Sequence, residues 1–235
     1  MYKNQKVTVF MPAYNEKEGI TQTVKEFKNN NFVDEVLVID NNSKDGTGSL
    51  AKKAGARVVF ETKQGYGAAM ARGFREAKGD LIISVESDGT FNANDVEKFL
   101  VYSDEFDMIL GTRTNSALLS EGANMGSFLK WGNVFIAKLL EVIHNSPSLT
   151  DVGCTYRLIK KNKLQKFVGK IDCQGSNFLP NFTIIALKHK MKMVEIPVNY
   201  GKRKGTSKIT GSKVKAFKLG LKMIWTIIKK KFTKD

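Results

Sequence analysis

At residues 36–43 the sequence reads Val36-Leu37-Val38-Ile39-Asp40-Asn41-Asn42-Ser43, four apolar residues followed directly by four polar ones. A short apolar run bounded by turn-forming residues is typical of a strand buried within a parallel sheet. The run from Leu81 to Val85 has the same form, because it ends at Glu86, Ser87 and Asp88. Two buried strands that end in polar clusters predict an α/β fold.

Outward from this stretch, predicted strands alternate with predicted helices. The strands are expected at residues 7–11, 35–39, 56–60, 80–85 and 108–110, and the helices at 18–29, 49–54, 67–77 and 95–102. Such alternation predicts a parallel sheet with helices on both faces. The second half is less regular. A long helix is predicted at 125–143 and a strand at 193–198, where Pro197 favours an edge of the sheet.

Polar side chains cluster after three of the predicted strands. They lie at residues 14–16 after the first strand, 40–43 after the second and 86–88 after the fourth. Ligands of open α/β sheets bind at the carboxyl ends of the strands. We therefore expect the binding site at this edge of the sheet.

The charge of the chain is strongly positive and unevenly placed. The 235 residues carry a formal net charge of +15, and residues 202–235 contain 12 Lys or Arg against 1 acid. This asymmetry predicts an anionic partner for the C-terminal end: a membrane surface, phosphates or nucleic acid.

The cysteines and the hydropathy pattern bear on the compartment. Cys154 and Cys173 are too few for a disulfide scaffold or a zinc site, which favours reduced thiols in the cytosol. The start of the sequence lacks the apolar stretch of a signal peptide, and no run approaches the roughly 18 apolar residues of a spanning helix. We expect a protein that is soluble or peripherally associated with a membrane.

Glu86 and Asp88 form an acid-x-acid pair directly after the fourth predicted strand. Two carboxylates at this spacing can direct oxygen ligands at one hard cation, and Mg²⁺ typically takes one or two carboxylates together with substrate phosphates. Such a metal would stabilise a departing diphosphate. The alternative is a pair of solvated acids at the end of a strand.

Three further stretches have the composition of ligand-binding loops. Asp40 is predicted to contact a ligand, whereas residues 41–45 also suit a turn or a helix cap. Residues 65–69, Gly-Tyr-Gly-Ala-Ala, would let a phosphate approach a helix N-terminus or would pack that helix closely on the sheet. The basic loop from Arg203 to Lys208 suits phosphate contacts or a solvated turn.

The C-terminal residues 213–232 have helical spacing of apolar side chains, flanked by lysines. A basic amphipathic helix that contains Trp and Phe can lie in the interface of an anionic bilayer. The alternative is a terminal helix packed on its own domain. We therefore divide the chain into a domain at 1–210 and a basic amphipathic helix at 211–235.

Taken together and in order, these motifs resemble the family 2 inverting glycosyltransferases with the GT-A fold, and most closely the dolichyl-phosphate mannose synthases and related polyprenyl-phosphate glycosyltransferases. The resemblance covers residues 7 to about 208. The matching stretches lie at 11–16, 38–47, 65–69, 77–80, 86–90, 111–113, 151–157, 194–198 and 203–208.

The resemblance implies a role for each matching residue. The nucleotide sugar would be bound by Pro12, Tyr14, Glu16, Asp40, Gly65, Ser87, Arg203 and Lys208. Glu86 and Asp88 would hold Mg²⁺ or Mn²⁺. Asp88, Arg113 and Asp151 would carry the reaction, with Arg157 on the acceptor side. The implied partners are a nucleotide sugar, a polyprenyl phosphate and the cytoplasmic face of a membrane, without nucleic acid.

Two positions depart from the family pattern. The family usually has Asp where this chain has Glu86, and relatives tend to carry an acid where this chain has Asn181. The longer Glu86 side chain would leave a metal resting mainly on Asp88. The missing acid at position 181 would lower activity or change the choice of acceptor.

A phosphate acceptor needs no strong general base, since it is already anionic. Positioning and charge neutralisation would then be the enzyme's work, and in-line attack would invert the anomeric configuration. His144 and His189 are expected to be surface or structural residues. Three alternatives stay open: transfer to a hydroxyl with Asp151 as the base, a nucleotide-sugar-binding subunit without catalysis, and nucleic-acid binding by the basic tail.

Overall fold

A seven-stranded sheet forms the centre of the computed structural model, which describes residues 1–123, 125–171, 175–205 and 213–233. Two residues discussed in the sequence analysis, Cys173 and Lys208, lie outside these described residues. The strands are β1 (Val7–Ala13), β2 (Glu35–Asp40), β3 (Arg57–Phe60), β4 (Leu81–Ser84), β5 (Met108–Thr112), β6 (Arg157–Lys160) and β7 (Met193–Pro197).

The strands are ordered β3-β2-β1-β4-β6-β5-β7, and all pairs are parallel except those that involve β6. The predicted mostly parallel sheet is therefore confirmed, and β7 with Pro197 lies at its edge as predicted. The sequence analysis did not predict β6. This strand reads Arg-Leu-Ile-Lys and has only two apolar residues, so it lacks the apolar run that identifies a buried strand.

Helices cover both faces of the sheet, also as predicted. On one face α3 (Tyr66–Glu76), α5 (Ser127–His144), α7 (Phe178–Lys188) and α8 (Lys213–Phe232) share a hydrophobic core. The other face carries α1 (Ile20–Lys28), α2 (Thr47–Lys53) and α4 (Val96–Tyr102) over a second core, and the single turn α6 (Lys161–Leu164) follows β6.

Two local features explain how the helices on the α3 face are placed. A Cβ atom at Gly73 would lie 2.2 Å from the Phe10 ring, so the small residues of α3 let this helix pack directly on β1. The helix α7 was not predicted. Its Pro180 lies in the first turn, where the missing N–H costs nothing, yet a proline inside an apolar run argues against a helix in sequence analysis.

The helix α8 packs on the rest of the chain through one side. Met223 and Ile227 are buried in the core, and the His144 ring Nε2 lies 2.8 Å from the carbonyl oxygen of Ile227. His144 is thus structural, as is His189, whose ring stacks on Phe167.

The proposed division at 210/211 falls in residues 206–212, which the structure does not describe. Within the described ranges, no helix combines the length and apolar character needed to cross a membrane.

Candidate active site

A cavity of about 650 Å³ opens at the carboxyl ends of β1 and β4, where the sequence analysis predicted a binding site. One side, the polar side, contains Glu16, Glu86, Asp88, Arg113 and Arg203. A second, apolar side is formed mainly by α5 and α8. Its lining includes Phe128, Leu129, Phe135, Ile136, Phe217, Leu221 and Ile224.

The Arg203 guanidinium joins two carboxylates on the polar side. Its Nη1 donates to Asp88 Oδ2 and its Nη2 donates to Glu16. The second Asp88 oxygen accepts hydrogen bonds from the Thr90 backbone N–H at 3.0 Å and the Thr90 hydroxyl at 2.6 Å. The Lys204 backbone N–H also donates to the Asp88 carbonyl oxygen at 3.0 Å. The basic loop and the acid-x-acid pair therefore meet in one cavity.

The polar side carries more negative than positive charge. Burial, together with the charges of Asp88 and Glu86, raises the pKa of Glu16 to about 7 even though Arg203 opposes the shift. Burial and the charge of Asp88 likewise raise the pKa of Glu86. Arg203 binds two of these carboxylates directly, Glu16 and Asp88, while Glu86 accepts its hydrogen bond from Thr155. A further cation would stabilise the cluster.

Glu86 is held by a short chain of hydroxyl groups. The Thr155 hydroxyl donates to Glu86 Oε1 at 2.5 Å, and the Tyr66 hydroxyl lies 2.7 Å from the same Thr155 oxygen. Both hydroxyl residues line the cavity. One Glu86 oxygen is therefore engaged by the protein, whereas both Asp88 oxygens accept hydrogen bonds, one from Thr90 and the other from Arg203. A cation bound to Asp88 would share that carboxylate with Arg203.

Arg113 is fixed by a bidentate ion pair with Asp151. Its Nε donates to Asp151 Oδ2 at 2.7 Å, its Nη2 donates to Oδ1 at 2.9 Å, and the Arg113 backbone N–H adds a third bond at 3.2 Å. Burial disfavours the charged form, but the Asp151 charge outweighs it and raises the pKa of Arg113. Both Asp151 oxygens are occupied, so this geometry suits a positioning residue better than a general base.

A second layer supports this pair. The Glu195 carboxylate accepts hydrogen bonds from the Asp151 backbone N–H at 2.9 Å and from the Thr150 hydroxyl at 2.6 Å. The Arg113 guanidinium carbon lies 5.3 Å from the centroid of the Tyr200 ring, a distance at which a cation and an aromatic face attract. The Arg113 head group is therefore held in one place at the cavity.

The other predicted site residues fall into two groups. Pro12 and Tyr14 line the cavity. Asp40, Gly65 and Ser87 are not among its lining residues, and each has a hydrogen bond within the protein. Asp40 Oδ1 accepts from the Ser43 N–H at 3.0 Å, and the Gly65 N–H donates to Asn41 Oδ1 at 2.8 Å. The Ser87 hydroxyl donates to the Pro12 carbonyl oxygen at 3.0 Å.

The contacts of Asp40 and Gly65 show which of their polar atoms the fold already uses. Asp40 was predicted to contact a ligand, and one of its oxygens closes the turn after β2 because the Ser43 N–H lies within its reach. Residues 65–69 were predicted to let a phosphate approach a helix N-terminus or to pack that helix on the sheet, and the Gly65 N–H donates to Asn41. Each residue therefore shapes a loop beside the cavity.

Sequence analysis missed four residues that shape the site. Asn41 and Thr155 line the cavity, Tyr200 faces Arg113, and Glu195 holds residues 150 and 151. Only Glu195 left a usable signal, since an acid in an otherwise apolar strand is unusual unless it is paired. The others are small polar or aromatic residues, whose role depends on what the fold places opposite them.

The donor set of the polar side fits one hard divalent cation. No group of three or more His, Cys, Asp or Glu able to hold a metal ion occurs in the part of the chain that the structure describes. A cation here would therefore rest on Glu86 and Asp88 and would need ligand oxygens from outside the protein. This matches the preference of Mg²⁺ for one or two carboxylates plus phosphate oxygens.

Replacing Glu16 by Gln is expected to change how stability depends on pH. The folded protein binds the Glu16 proton more tightly than the unfolded chain, because the pKa is about 7 rather than 4.5. This contribution to stability is present in full below pH 4.5 and is lost as the pH rises through 7. From urea unfolding, wild type should lose about 1–2 kcal/mol relative to Glu16→Gln across that window, since solvent screens part of the effect.

The exposed Glu18 on the same turn provides the control, because Glu18→Gln removes one carboxylate without emptying the Arg203 cluster. Parallel stability curves for wild type and Glu16→Gln between pH 4.5 and 8 would contradict the raised pKa.

Comparisons with known proteins agree on a single architecture. The sequence model of Glycosyl transferase family 2 matches residues 8–170. A protein of Methanocaldococcus jannaschii is 30% identical over 230 residues, with 93% of each chain covered. A dolichyl-phosphate beta-glucosyltransferase of Trichomonas vaginalis is 28% identical over 262 residues, covering 96% of this chain and 77% of its own.

Among solved structures, the chain is similar to glucosyl-3-phosphoglycerate synthase of Mycobacterium tuberculosis. That structure is a complex with Mn²⁺, UDP-glucose and phosphoglyceric acid. The TM-score is 0.74 at 18% identity, and the match covers 99% of this chain and 82% of that one. The similarity confirms the predicted GT-A fold.

Proposed function

We propose that this chain, which belongs to glycosyl transferase family 2 and is a glycosyltransferase, moves a sugar from a nucleotide-diphosphate sugar to a polyprenyl phosphate at the cytoplasmic face of a membrane. The observation that carries the proposal is the two-sided cavity. Its polar side has the groups that bind anions and cations, and its apolar side suits a hydrocarbon chain.

The nucleotide sugar would lie along the polar side. Pro12 and Tyr14 border the cavity at the end of β1 and would contact the base and ribose, with Glu16 beside them. Arg203 lies between Glu16 and Asp88, so it is within reach of a diphosphate placed there. Guanidinium groups bind phosphate oxygens in bidentate fashion, which suits this position.

Mg²⁺ or Mn²⁺ would be held by Glu86 and Asp88, with the donor diphosphate completing its oxygen ligands. When bound, such a cation neutralises the diphosphate and makes it a better leaving group. The excess negative charge of the polar side supports this assignment. The solved neighbours include complexes with Mn²⁺ or Mg²⁺ and UDP, which is consistent with it.

The acceptor phosphate would be placed by Arg113, which Asp151, Glu195 and Tyr200 hold rigidly. An oxygen of this phosphate forms the new bond to the anomeric carbon as the bond from that carbon to the donor diphosphate breaks. The acceptor oxygen carries no proton that must be removed, so positioning and charge stabilisation are sufficient. This chemistry fits a site in which Asp151 is occupied by Arg113.

The acceptor class follows from the apolar side. Aromatic and aliphatic residues of α5 and α8 form much of the cavity lining, which suits a hydrocarbon chain better than a fully polar acceptor. The relative from Trichomonas vaginalis is named for transfer to dolichyl phosphate, a lipid of this class. The lysines that flank the apolar stripe of α8 would bring the protein to an anionic membrane surface.

The proposal is tested by supplying three acceptors in parallel with a panel of UDP- and GDP-sugars and Mg²⁺ or Mn²⁺. They are a polyprenyl phosphate in detergent, the matching polyprenol and 3-phosphoglycerate. We expect product on the polyprenyl phosphate at a rate about a hundredfold or more above that on the polyprenol, because the site is built around the phosphate. EDTA should abolish this product.

The other outcomes separate the alternatives. Product mainly on the polyprenol would show transfer to a hydroxyl, and product mainly on 3-phosphoglycerate would exclude a lipid acceptor. Nucleotide-sugar binding, measured as thermal stabilisation, without turnover on any acceptor would indicate a subunit that has no catalytic activity.

A further inference from the structure

Exposed apolar side chains are concentrated on two helices. Among the described residues, fifteen large apolar side chains are exposed, and ten of them belong to α5 or α8. On α5 they are Phe128, Trp131, Phe135 and Val142, and on α8 they are Val214, Phe217, Leu221, Trp225, Ile228 and Phe232. Trp131 and Trp225 are 66% and 65% exposed. An apolar patch of this kind on a soluble domain marks an interaction site.

The two helices are fixed side by side. The His144 ring of α5 lies 2.8 Å from the Ile227 carbonyl oxygen of α8, and the Lys231 ammonium donates to the Ile143 carbonyl at 2.7 Å. At Gly220 a Cβ atom would lie 3.6 Å from Ile136, an ordinary van der Waals distance, so α8 lies against α5 at this point. The exposed stripes therefore belong to one rigid pair of helices.

Both stripes border the same cavity. Phe128 and Phe135 of α5 and Phe217 and Leu221 of α8 are more than half exposed, yet they also line the cavity that contains Asp88 and Arg113. We call these four residues, with Trp131 and Trp225, the α5–α8 face. Anything that covers this face lies at the opening of the cavity.

The charged residues beside the α5–α8 face indicate the chemistry of the surface that covers it. The sequence of α8 contains seven lysines and no acid, and α5 contributes Lys130 and Lys138 against the single acid Glu141. Glu141 is itself paired with Lys138 at 2.6 Å. A protein surface covering the face would have to match this one-sided charge, whereas an anionic bilayer supplies both an apolar interior and a negative surface.

We propose that the α5–α8 face docks on an anionic bilayer through both helices, with α5 inserting alongside α8. The inference rests on the proposed function in one respect: the docked bilayer supplies the lipid acceptor to the cavity opening. The sequence predicted membrane contact for α8 alone, and α5 was predicted only as a long helix. On α5 the face has three aromatic residues, Phe128, Trp131 and Phe135.

Vesicle flotation of the full chain tests the proposal without donor or acceptor. The vesicles contain phosphatidylcholine alone or phosphatidylcholine with a quarter phosphatidylglycerol. We expect wild type to float with the anionic vesicles, and the double variant Trp131→Ser/Phe135→Ser to bind them about tenfold or more weakly, because two large side chains no longer enter the bilayer. The matched control is Val101→Ser/Tyr102→Ser, which removes two exposed apolar residues from α4 on the opposite face of the sheet.

Each result of these experiments either supports the proposed docking or overturns it. Flotation that is lost in the α5 variant and retained in the α4 control supports the proposal, provided that both variants keep the wild-type thermal stabilisation by nucleotide. Equal binding of the α5 variant and wild type would overturn it. So would a concentration-dependent dimer in light scattering that the α5 variant abolishes, since a second copy would then cover the face. Flotation without turnover would refute the proposed reaction and leave the docking surface intact.

Discussion

Asp88→Asn is expected to lower kcat by about a hundredfold to a thousandfold, the usual cost of removing one charge-stabilising group from an active site. Asp88 is the only residue of the site that both borders the proposed cation position and binds Arg203 among the described residues. The amide keeps the size of the side chain and its bond to Thr90, but it loses the charge. Initial rates with saturating nucleotide sugar and titrated Mn²⁺ measure the effect.

The same replacement at Asp104 provides a matched control. Asp104 is exposed and pairs with Lys3 on the surface, so Asp104→Asn should leave kcat and the metal requirement unchanged. If Asp88→Asn retains wild-type turnover, or if turnover of wild type is insensitive to EDTA, the assignment of Asp88 as a metal ligand is wrong.

Asp151→Ala is expected to destabilise the fold by about 3–5 kcal/mol, because it leaves the Arg113 guanidinium buried without its counter-charge. The Asp151 side chain is 0% exposed and that of Arg113 is 15% exposed, so solvent cannot replace the lost bonds. Urea unfolding followed by circular dichroism measures the change. Turnover should also fall, because nothing else among the described contacts holds both nitrogen atoms of the Arg113 fork.

A second variant distinguishes a structural effect from a catalytic one. Arg113→Met/Asp151→Ala removes both charges and should recover much of the lost stability, since a buried pair costs far more to break than to delete. Its turnover should stay low, because the acceptor phosphate has lost its arginine. If Asp151 were instead a general base, Arg113→Met alone would retain appreciable turnover, and its pH profile would show a basic group.

The sheet was predictable from the sequence because its central strands are continuous apolar runs. Residues 36–39 and 81–83 are wholly apolar and buried, as strands covered by helices on both sides must be. The strand β6 was not predictable in this way. It pairs antiparallel between β4 and β5, and its first residue, Arg157, is buried and bonded to backbone carbonyls at 2.6 and 2.8 Å. The Arg157 guanidinium also donates to the Thr183 hydroxyl of α7 at 2.7 Å, a partner that only the folded chain supplies.

The residues of the site were likewise predictable from the sequence only in part. Asp88 and Arg203 were selected because they belong to recognisable motifs, an acid-x-acid pair after a buried strand and a basic loop that contains glycine. Thr155 and Asn41 were missed, because a hydroxyl or an amide is common in any loop. Asp40 was assigned to a ligand because it follows a buried strand, and only the fold shows that a nearby N–H also uses one of its oxygens.

The edge position of β7 means that a single run of chain governs several distant parts of the site. From Glu195 to Arg203 this run reaches Asp151, the Arg113 guanidinium and Asp88 in turn. Among the described strands β7 has only β5 as its neighbour, so one ladder of hydrogen bonds fixes its register. A slip of this ladder would misalign the donor half and the acceptor half of the cavity at once, and damage to β7 would appear as one concerted loss instead of separate defects.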